Sequence, residues 1–280
     1  MSLLSPTAPV TTTSRLATLK VPPTVLLSFV VIALVIAWSV APGLFTSHSP
    51  INGVPADKLL GPSAAHWFGT DHLGLDLYAR VVHGTASSVS SALIAVIIAA
   101  VAGGLIGLLA GFFGGWVDIL LARLVDVLLA IPHFLLAVII VTALGFDTTN
   151  AAIATGISAV AVFARVMRAE VIKTRQAVFV EASFLLGGSR WHILLRHVLP
   201  NASRSVLPLA VLQFGLSILV IASLAFLGYG DPPPASDWGL LISIGKDYLK
   251  WPWLVYAPAF VTIGTVLSLN RISRWLRQTD

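Results

Sequence analysis

Apolar residues run in long, nearly uninterrupted blocks along this chain, and the polar residues gather in the gaps between them. A helix needs about 20 apolar residues to cross the hydrocarbon core of a bilayer, and six blocks approach that length. Val25–Phe45 is the first, interrupted by Ser28, Ser39 and the Pro42–Gly43 pair. Ser39 and Ala41 stand at the spacing of a signal-peptide cleavage site, but the apolar run exceeds the usual signal core of roughly 7–15 residues. It reads as a retained anchor. Ala92–Phe113 is the second block, with no charge in 22 residues. The third begins after Asp126 and runs through Phe146, carrying Pro132 and His133. The fourth, about Thr148–Ala164, is the shortest, and Val206–Leu227 and Pro252–Asn270 complete the set. The pattern predicts an all-α integral membrane protein with six transmembrane helices and both termini on one side.

The gaps divide the rest. Residues 1–24 form a Ser/Thr/Pro-rich tail, 25–45 the first membrane helix, and 46–85 an extracytoplasmic segment punctuated by Gly61–Pro62 and Gly69–Thr70–Asp71. Residues 86–274 hold a five-helix core, and 275–280 a short C-terminal end. Within 46–85, Leu75–Val82 reads as a short interfacial helix with Tyr78 as its anchor. A second outer segment, Gly228–Trp251, carries Asp231-Pro232-Pro233-Pro234, which cannot continue a helix. Trp238, Trp251 and Trp253 suit a headgroup-level aromatic belt. No internal repeat is evident.

Composition and charge then fix class and orientation. The chain is 57% hydrophobic and 10% charged, against about 25% charged in soluble domains. A water-covered globule and a disordered chain are both excluded. With no cysteine, disulfides, thiolate metal sites and cysteine nucleophiles are excluded as well. With the N-terminus inside, 13 of the 17 basic residues fall on inner segments. Only Lys58, Arg80, Lys246 and Lys250 fall outside, which satisfies the positive-inside rule. Both termini are therefore expected in the cytoplasm, the membrane lipid is one partner, and the sequence pI of 9.9 requires no nucleic acid.

On the second block Ala99, Gly103, Gly107, Gly111 and Gly115 recur every four residues along one face. Small residues at that spacing let two helix backbones approach closely, and tight packing within the subunit is the expectation here. A helix seam lining a pathway is the alternative.

Between the fourth and fifth blocks lies a polar inner segment, 165–204, longer than a simple connection needs. It has room for two helices and a turn. Gly187–Gly188 ends the first, Ser189 caps the second, and Pro200 stops it. Trp191, Leu194, Leu195 and Val198 are placed on one face of the second helix. Val178, Glu181 and Ala182 form a compact patch with one carboxylate on the first. Two readings stand equal on physical grounds: a docking surface, or an amphipathic hairpin drawn to anionic lipid by its arginines.

At these residues the sequence resembles a known pattern. Glu181-Ala182-Ser183, three residues, Gly187, nine residues, then His197-Val198-Leu199-Pro200 is similar to the EAA loop of ABC-importer permeases. Ser183 replaces the usual Ala, and His197 the usual Ile; the His is similar to the dipeptide/oligopeptide/nickel subfamily. Phe68-Gly69-Thr70-Asp71-His72-Leu73-Gly74-Leu75-Asp76 resembles that subfamily's FGTDxxGRD segment, with Leu75 in place of Arg. Ala110–Asp118 with Arg123–Asp126, and Phe226–Pro234 with Trp238-Gly239, extend the likeness over Phe68 to Arg277.

The resemblance implies a permease subunit of an ATP-driven importer for peptides or related small solutes in a bacterial or archaeal cytoplasmic membrane. It assigns Glu181, Ala182, Ser183, Gly187, Gly188, His197, Leu199 and Pro200 to a loop coupled to separate ATPases. It further implies a second homologous permease chain, two ATPase subunits carrying ATP and Mg, and an extracytoplasmic substrate-binding protein. The chain itself has no phosphate loop, since Gly245-Lys246 is followed by Asp247. No catalytic residue, resident cofactor or metal is expected, and no residue is assigned to the solute. The main alternative is an ion- or proton-coupled secondary carrier, for which only His133 and Gln213 are deep polar candidates. A membrane metalloenzyme using His66, Asp71, His72, Asp76 and His83 lacks a compact ligand spacing.

Overall fold

The computed structural model describes residues 22–279, so nearly all of the predicted 1–24 tail lies outside the described residues. The described residues form eleven α-helices: α1 Pro23–Val40, α2 Leu77–Phe113, α3 Gly115–Ala130, α4 His133–Leu144, α5 Thr148–Arg175, α6 Val178–Leu185, α7 Arg190–Ile193, α8 Leu199–Ala202, α9 Val206–Phe226, α10 Trp238–Gly245 and α11 Trp253–Thr279. Five stretches are long and apolar enough to cross a membrane, or six if a bent pair counts as one span. The bent pair is α3 with α4, which meet at 92°.

Pro132 causes that bend. It lacks the N–H of the helical ladder and forces Ile131 out of the helical region, to φ −94° and ψ 128°. The predicted third span is thus corrected. The apolar helix pair that replaces it begins at Gly115, includes Asp118, Arg123 and Asp126, and is bent in the middle. The second span also grows. α2 is one helix of 37 residues, roughly 55 Å long, so Leu75–Val82 is no separate interfacial helix. Tyr78 is buried in the core with Trp38 and Phe68 packed edge-on against it.

α2 and α5 form the central pair, and they run parallel. Gly103, Gly107 and Gly111 on α2 face Val160, Ala164 and Arg168 on α5, while Gly156 on α5 faces Ala95 on α2. A Cβ at Gly107 would stand 2.3 Å from the Ala164 carbonyl oxygen and 2.8 Å from the Arg168 nitrogen. Those are backbone atoms and cannot swing aside. Gly115 does not belong to this seam. The helix ends at Phe113, Gly115 has φ +55°, and a Cβ there would meet nothing within 4 Å.

This geometry makes a prediction. Gly107→Val should destabilise the fold by about 3 kcal/mol, the upper end of overpacking costs. Gly104→Ala, whose Cβ would meet only the Met167 methyl at 3.7 Å, should be neutral or stabilising, because Ala favours helix. Thermal unfolding midpoints of the detergent-solubilised chain check the contrast.

α9 packs beside this pair, α11 packs on α9, and α1 lies on α11 with Phe29 edge-on to Trp275 at 6.0 Å. Ser273 Oγ donates to the Pro208 carbonyl at 2.6 Å, tying α11 to the start of α9.

Candidate functional site

Segment 165–204 links two long helices, α5 and α9. α5 continues to Arg175, so residues 165–175 are a rigid extension of that helix. α6 follows after Gln176 and Ala177. Of its eight residues only Val180 is buried, at 0% exposure. Val180 packs into a cluster with Phe112 of α2, Val171 of α5, and Ile193, Leu194, Val198 and Ala202 of the following segment. Around that single anchor the helix turns its other faces outward. Val178, Leu185 and Leu186 are 81%, 83% and 88% exposed, beside exposed Glu181 and Ala182.

The turn that ends α6 is fully specified. Gly188 N–H donates to the Ser183 carbonyl at 3.0 Å and Gly187 N–H to that of Phe184 at 3.1 Å. This pair of bonds, with Gly187 at φ +83°, is a Schellman cap, which needs a left-handed residue at that position. Gly187 supplies it without strain. Ser189 Oγ then accepts from the His192 N–H at 3.3 Å and starts the next helix.

Pro200 does not stop that helix. The chain widens into a π-turn over Leu194–Val198, with Leu199 N–H bonded to the Leu194 carbonyl. The wider turn absorbs the N–H that Pro200 lacks, and helical structure continues from Arg190 to Phe226. The face also differs from expectation. Ile193, Leu194 and Val198 are buried, whereas Trp191 and Leu195 are exposed. His197 is half-buried, near Phe179 and His192, and its carbonyl accepts from Asn201 Nδ2 at 2.6 Å. Leu199 is half-buried and Pro200 exposed. Both legs of the segment are therefore continuous with spans, and α6 hangs between them.

Ion pairs brace the same end of the bundle. Arg168 of α5 holds Asp118 of α3 through two bonds, at 2.5 and 2.7 Å, and Arg165 reaches Asp126 at 3.4 Å. Of the five ion pairs among the described residues, four involve a terminal helical turn or a loop, and Arg165–Asp126 joins the bodies of two helices. None places a charge partner on His133, whose Nε2 is buried without a hydrogen bond beside the α3–α4 bend.

At the opposite end the FGTD stretch builds a scaffold. Asp71 Oδ1 accepts from the Leu73 and Leu75 N–H groups at 2.8 and 2.9 Å. Its Oδ2 receives Arg80 at 2.7 Å, and both side chains are 2% exposed. Arg80 also donates to the Ala235 carbonyl at 2.8 Å, pinning the proline segment. Leu75, where the resemblance has Arg, is buried in the core. Asp76 caps α2 by accepting from Ala79 N–H at 2.7 Å, and its Oδ2 meets His66 Nδ1 at 2.8 Å.

Trp238 is no headgroup anchor. It is fully buried and donates through Nε1 to the Val81 carbonyl at 3.2 Å. Beside it, burial pushes the Asp237 carboxyl above the usual carboxylate range, although Oδ1 accepts from the Gly239 and Leu240 N–H groups. Of His66, Asp71, His72, Asp76 and His83, the residues His66 and Asp76 converge, joined by His48. Arg80 carries no local sign of its role, because its partners lie nine and 155 residues away.

Residues 103–279 match the family model described as binding-protein-dependent transport system inner membrane component. The chain is 37% identical over 254 residues to the dipeptide transport system permease protein DppC of Alkalihalophilus pseudofirmus, covering 90% of this chain and 82% of that one. It is 35% identical over 218 residues to the glutathione transport system permease protein GsiD of Pectobacterium atrosepticum, covering 78% and 72% respectively. Among solved structures, an inward-facing MetNI methionine ABC transporter shares the fold at a TM-score of 0.57 and 16% identity, over 72% of this chain and 96% of that one.

Proposed function

Because this chain belongs to the family of binding-protein-dependent transport system inner membrane components, and is a multi-pass permease subunit of an ATP-driven importer, we propose that α6 is the surface on which a separate ATPase subunit docks. One observation carries the reading. Val178, Leu185 and Leu186 stand in the open around Glu181, on a helix held by one buried residue. Apolar groups so arranged need a partner to cover them. A carboxylate at their centre gives that partner a charge-assisted hydrogen bond to make.

The mechanism follows from how α6 is mounted. Its two legs extend α5 and lead into α9, so a force on α6 reaches both spans with little slack between. ATP binding and Mg belong to the partner ATPases; their closure moves α6, and the bundle changes between inward- and outward-facing packings. Such a switch needs two packings separated by a few kcal/mol. The broken third span offers a joint for it.

The full reading places six spans in the cytoplasmic membrane of a bacterium or archaeon, with both termini and segment 165–204 in the cytoplasm. Two ATPase subunits and a second, homologous permease chain complete the complex, and an extracytoplasmic binding protein delivers a peptide or related small solute. The names of the similar permeases, dipeptide and glutathione, support the peptide class. The proton-coupled alternative has little support, since no ion pair among the described residues engages His133.

Proteoliposomes holding the assembled complex provide the test. Uptake of a labelled dipeptide should require ATP inside and survive an uncoupler. Uptake without ATP that collapses with the proton gradient would favour the secondary carrier.

A further inference from the structure

We propose that His48, His66 and Asp76 form a binding site for a transition-metal dication of the zinc type at the end of the bundle remote from α6. One imidazole nitrogen from each histidine and one carboxylate oxygen lie within 4.8 Å of one another. Three ligands at bonds of about 2.0–2.2 Å would sit roughly 3.3 Å apart in a tetrahedral shell, so the cluster must contract modestly.

The residues are mounted for that contraction. Asp76 is the fixed member: it is buried, its Oδ1 is committed to capping α2, and its Oδ2 points at His66. His66 is steadied by its own turn, in which its N–H donates to Ser63 Oγ at 3.1 Å and its carbonyl accepts from the Ser63 N–H at 2.8 Å. His48 is exposed and free to rotate, its ring 5.3 Å from that of His66. Two imidazoles and one carboxylate favour zinc, copper or nickel over calcium or magnesium, which prefer oxygen ligands. With three protein ligands, the fourth position is open to solvent on the His48 side.

The three residues come from different stretches. His48 follows α1, His66 lies in the outer loop, and Asp76 begins α2. A bound ion would therefore staple the connection after α1 to the first turn of α2. Neither the coupling loop nor the importer reading enters this inference.

The full-length chain, purified in detergent without a polyhistidine tag and stripped with a chelator, should bind one Zn2+ per chain in competition with a chromophoric chelator. His48→Ala, which removes only an exposed side chain, should weaken binding at least about tenfold, as loss of a metal-site partner does. Asp76→Asn keeps an oxygen for the helix cap and should weaken it similarly. Co2+ should give the intense visible absorption of a tetrahedral site in the parent chain and lose it in both variants. Absence of saturable binding at one ion per chain would overturn the proposal. So would affinity that is unchanged in both variants but lost on replacing His192 and His197, whose rings lie 6.0 Å apart at the other end.

Discussion

Glu181→Lys and Gly187→Pro should each cut ATP-dependent uptake by about tenfold or more, the effect of losing roughly 1.4 kcal/mol or more of coupling between the subunits, while the chain still inserts and assembles its core. Glu181 is exposed, and its carboxylate makes no ion pair or hydrogen bond within the described residues that would hold the fold together. Reversing its charge therefore acts on a partner and leaves the bundle alone. Gly187 acts through shape. Its φ of +83° is closed to proline, whose ring fixes φ near −65°, so α6 must unwind or turn elsewhere. Gly187→Ala tests the same point more gently, since a left-handed alanine costs about 1–2 kcal/mol and should reduce uptake less than Pro does. Vesicle uptake with ATP, alongside membrane-inserted protein by quantitative blot, separates uncoupling from loss of the chain. Wild-type uptake in both Glu181→Lys and Gly187→Pro would remove the coupling role from α6.

The second large effect is expected at the other end. Arg80→Met should destabilise the fold by about 3–5 kcal/mol, the cost of leaving one member of a buried pair without its partner. Asp71 would keep its two backbone bonds through Oδ1 but lose the guanidinium on Oδ2, inside a region where both side chains are 2% exposed. The proline segment would also lose its tie at Ala235. Adding Asp71→Asn should recover much of the loss, because a neutral amide no longer buries an uncompensated charge. Arg80→Lys should fall between, since an ammonium can reach Asp71 but lacks the fork that also holds Ala235. Unfolding midpoints of the parent and the three variants give the ranking. A double variant as unstable as Arg80→Met alone would show that charge burial is not the source of the effect.

The elements that could be read from the sequence were those whose cause lies close along the chain. Hydropathy blocks locate spans because a bilayer imposes a length on each helix. The four-residue glycine spacing locates a close seam because helical geometry returns those positions to one face, and Gly103, Gly107 and Gly111 do meet α5. Gly187, Gly188 and Ser189 announce a turn by their own backbone and capping chemistry, and the turn is there.

What escaped depends on partners elsewhere or on how a neighbourhood absorbs a defect. Pro132 and Pro200 are the same residue in apolar helical surroundings, yet one breaks its helix by 92° and the other is carried through a π-turn. The difference lies in what surrounds them: Val198 and Ala202 flank Pro200 and are held in the inner cluster, which keeps the helix on course. Gly115 continues the glycine spacing but lies past the helix end, where spacing no longer means a shared face. Arg80 and Trp238 carry the features of outer charge and interfacial aromatic, and only contacts across some 150 residues reveal them as buried ties.

On the proposed function, α6 faces the cytoplasm and is gripped by an ATPase. The chain has no cysteine, so Ala182→Cys, in the exposed patch beside Glu181, gives one addressable thiol. In the active complex, a short maleimide–benzophenone reagent attached to that thiol should photo-cross-link it to the ATPase subunit. A membrane-impermeant maleimide applied to intact cells should leave it unlabelled. Labelling from outside, or full transport with no cross-link to the ATPase, would contradict the account.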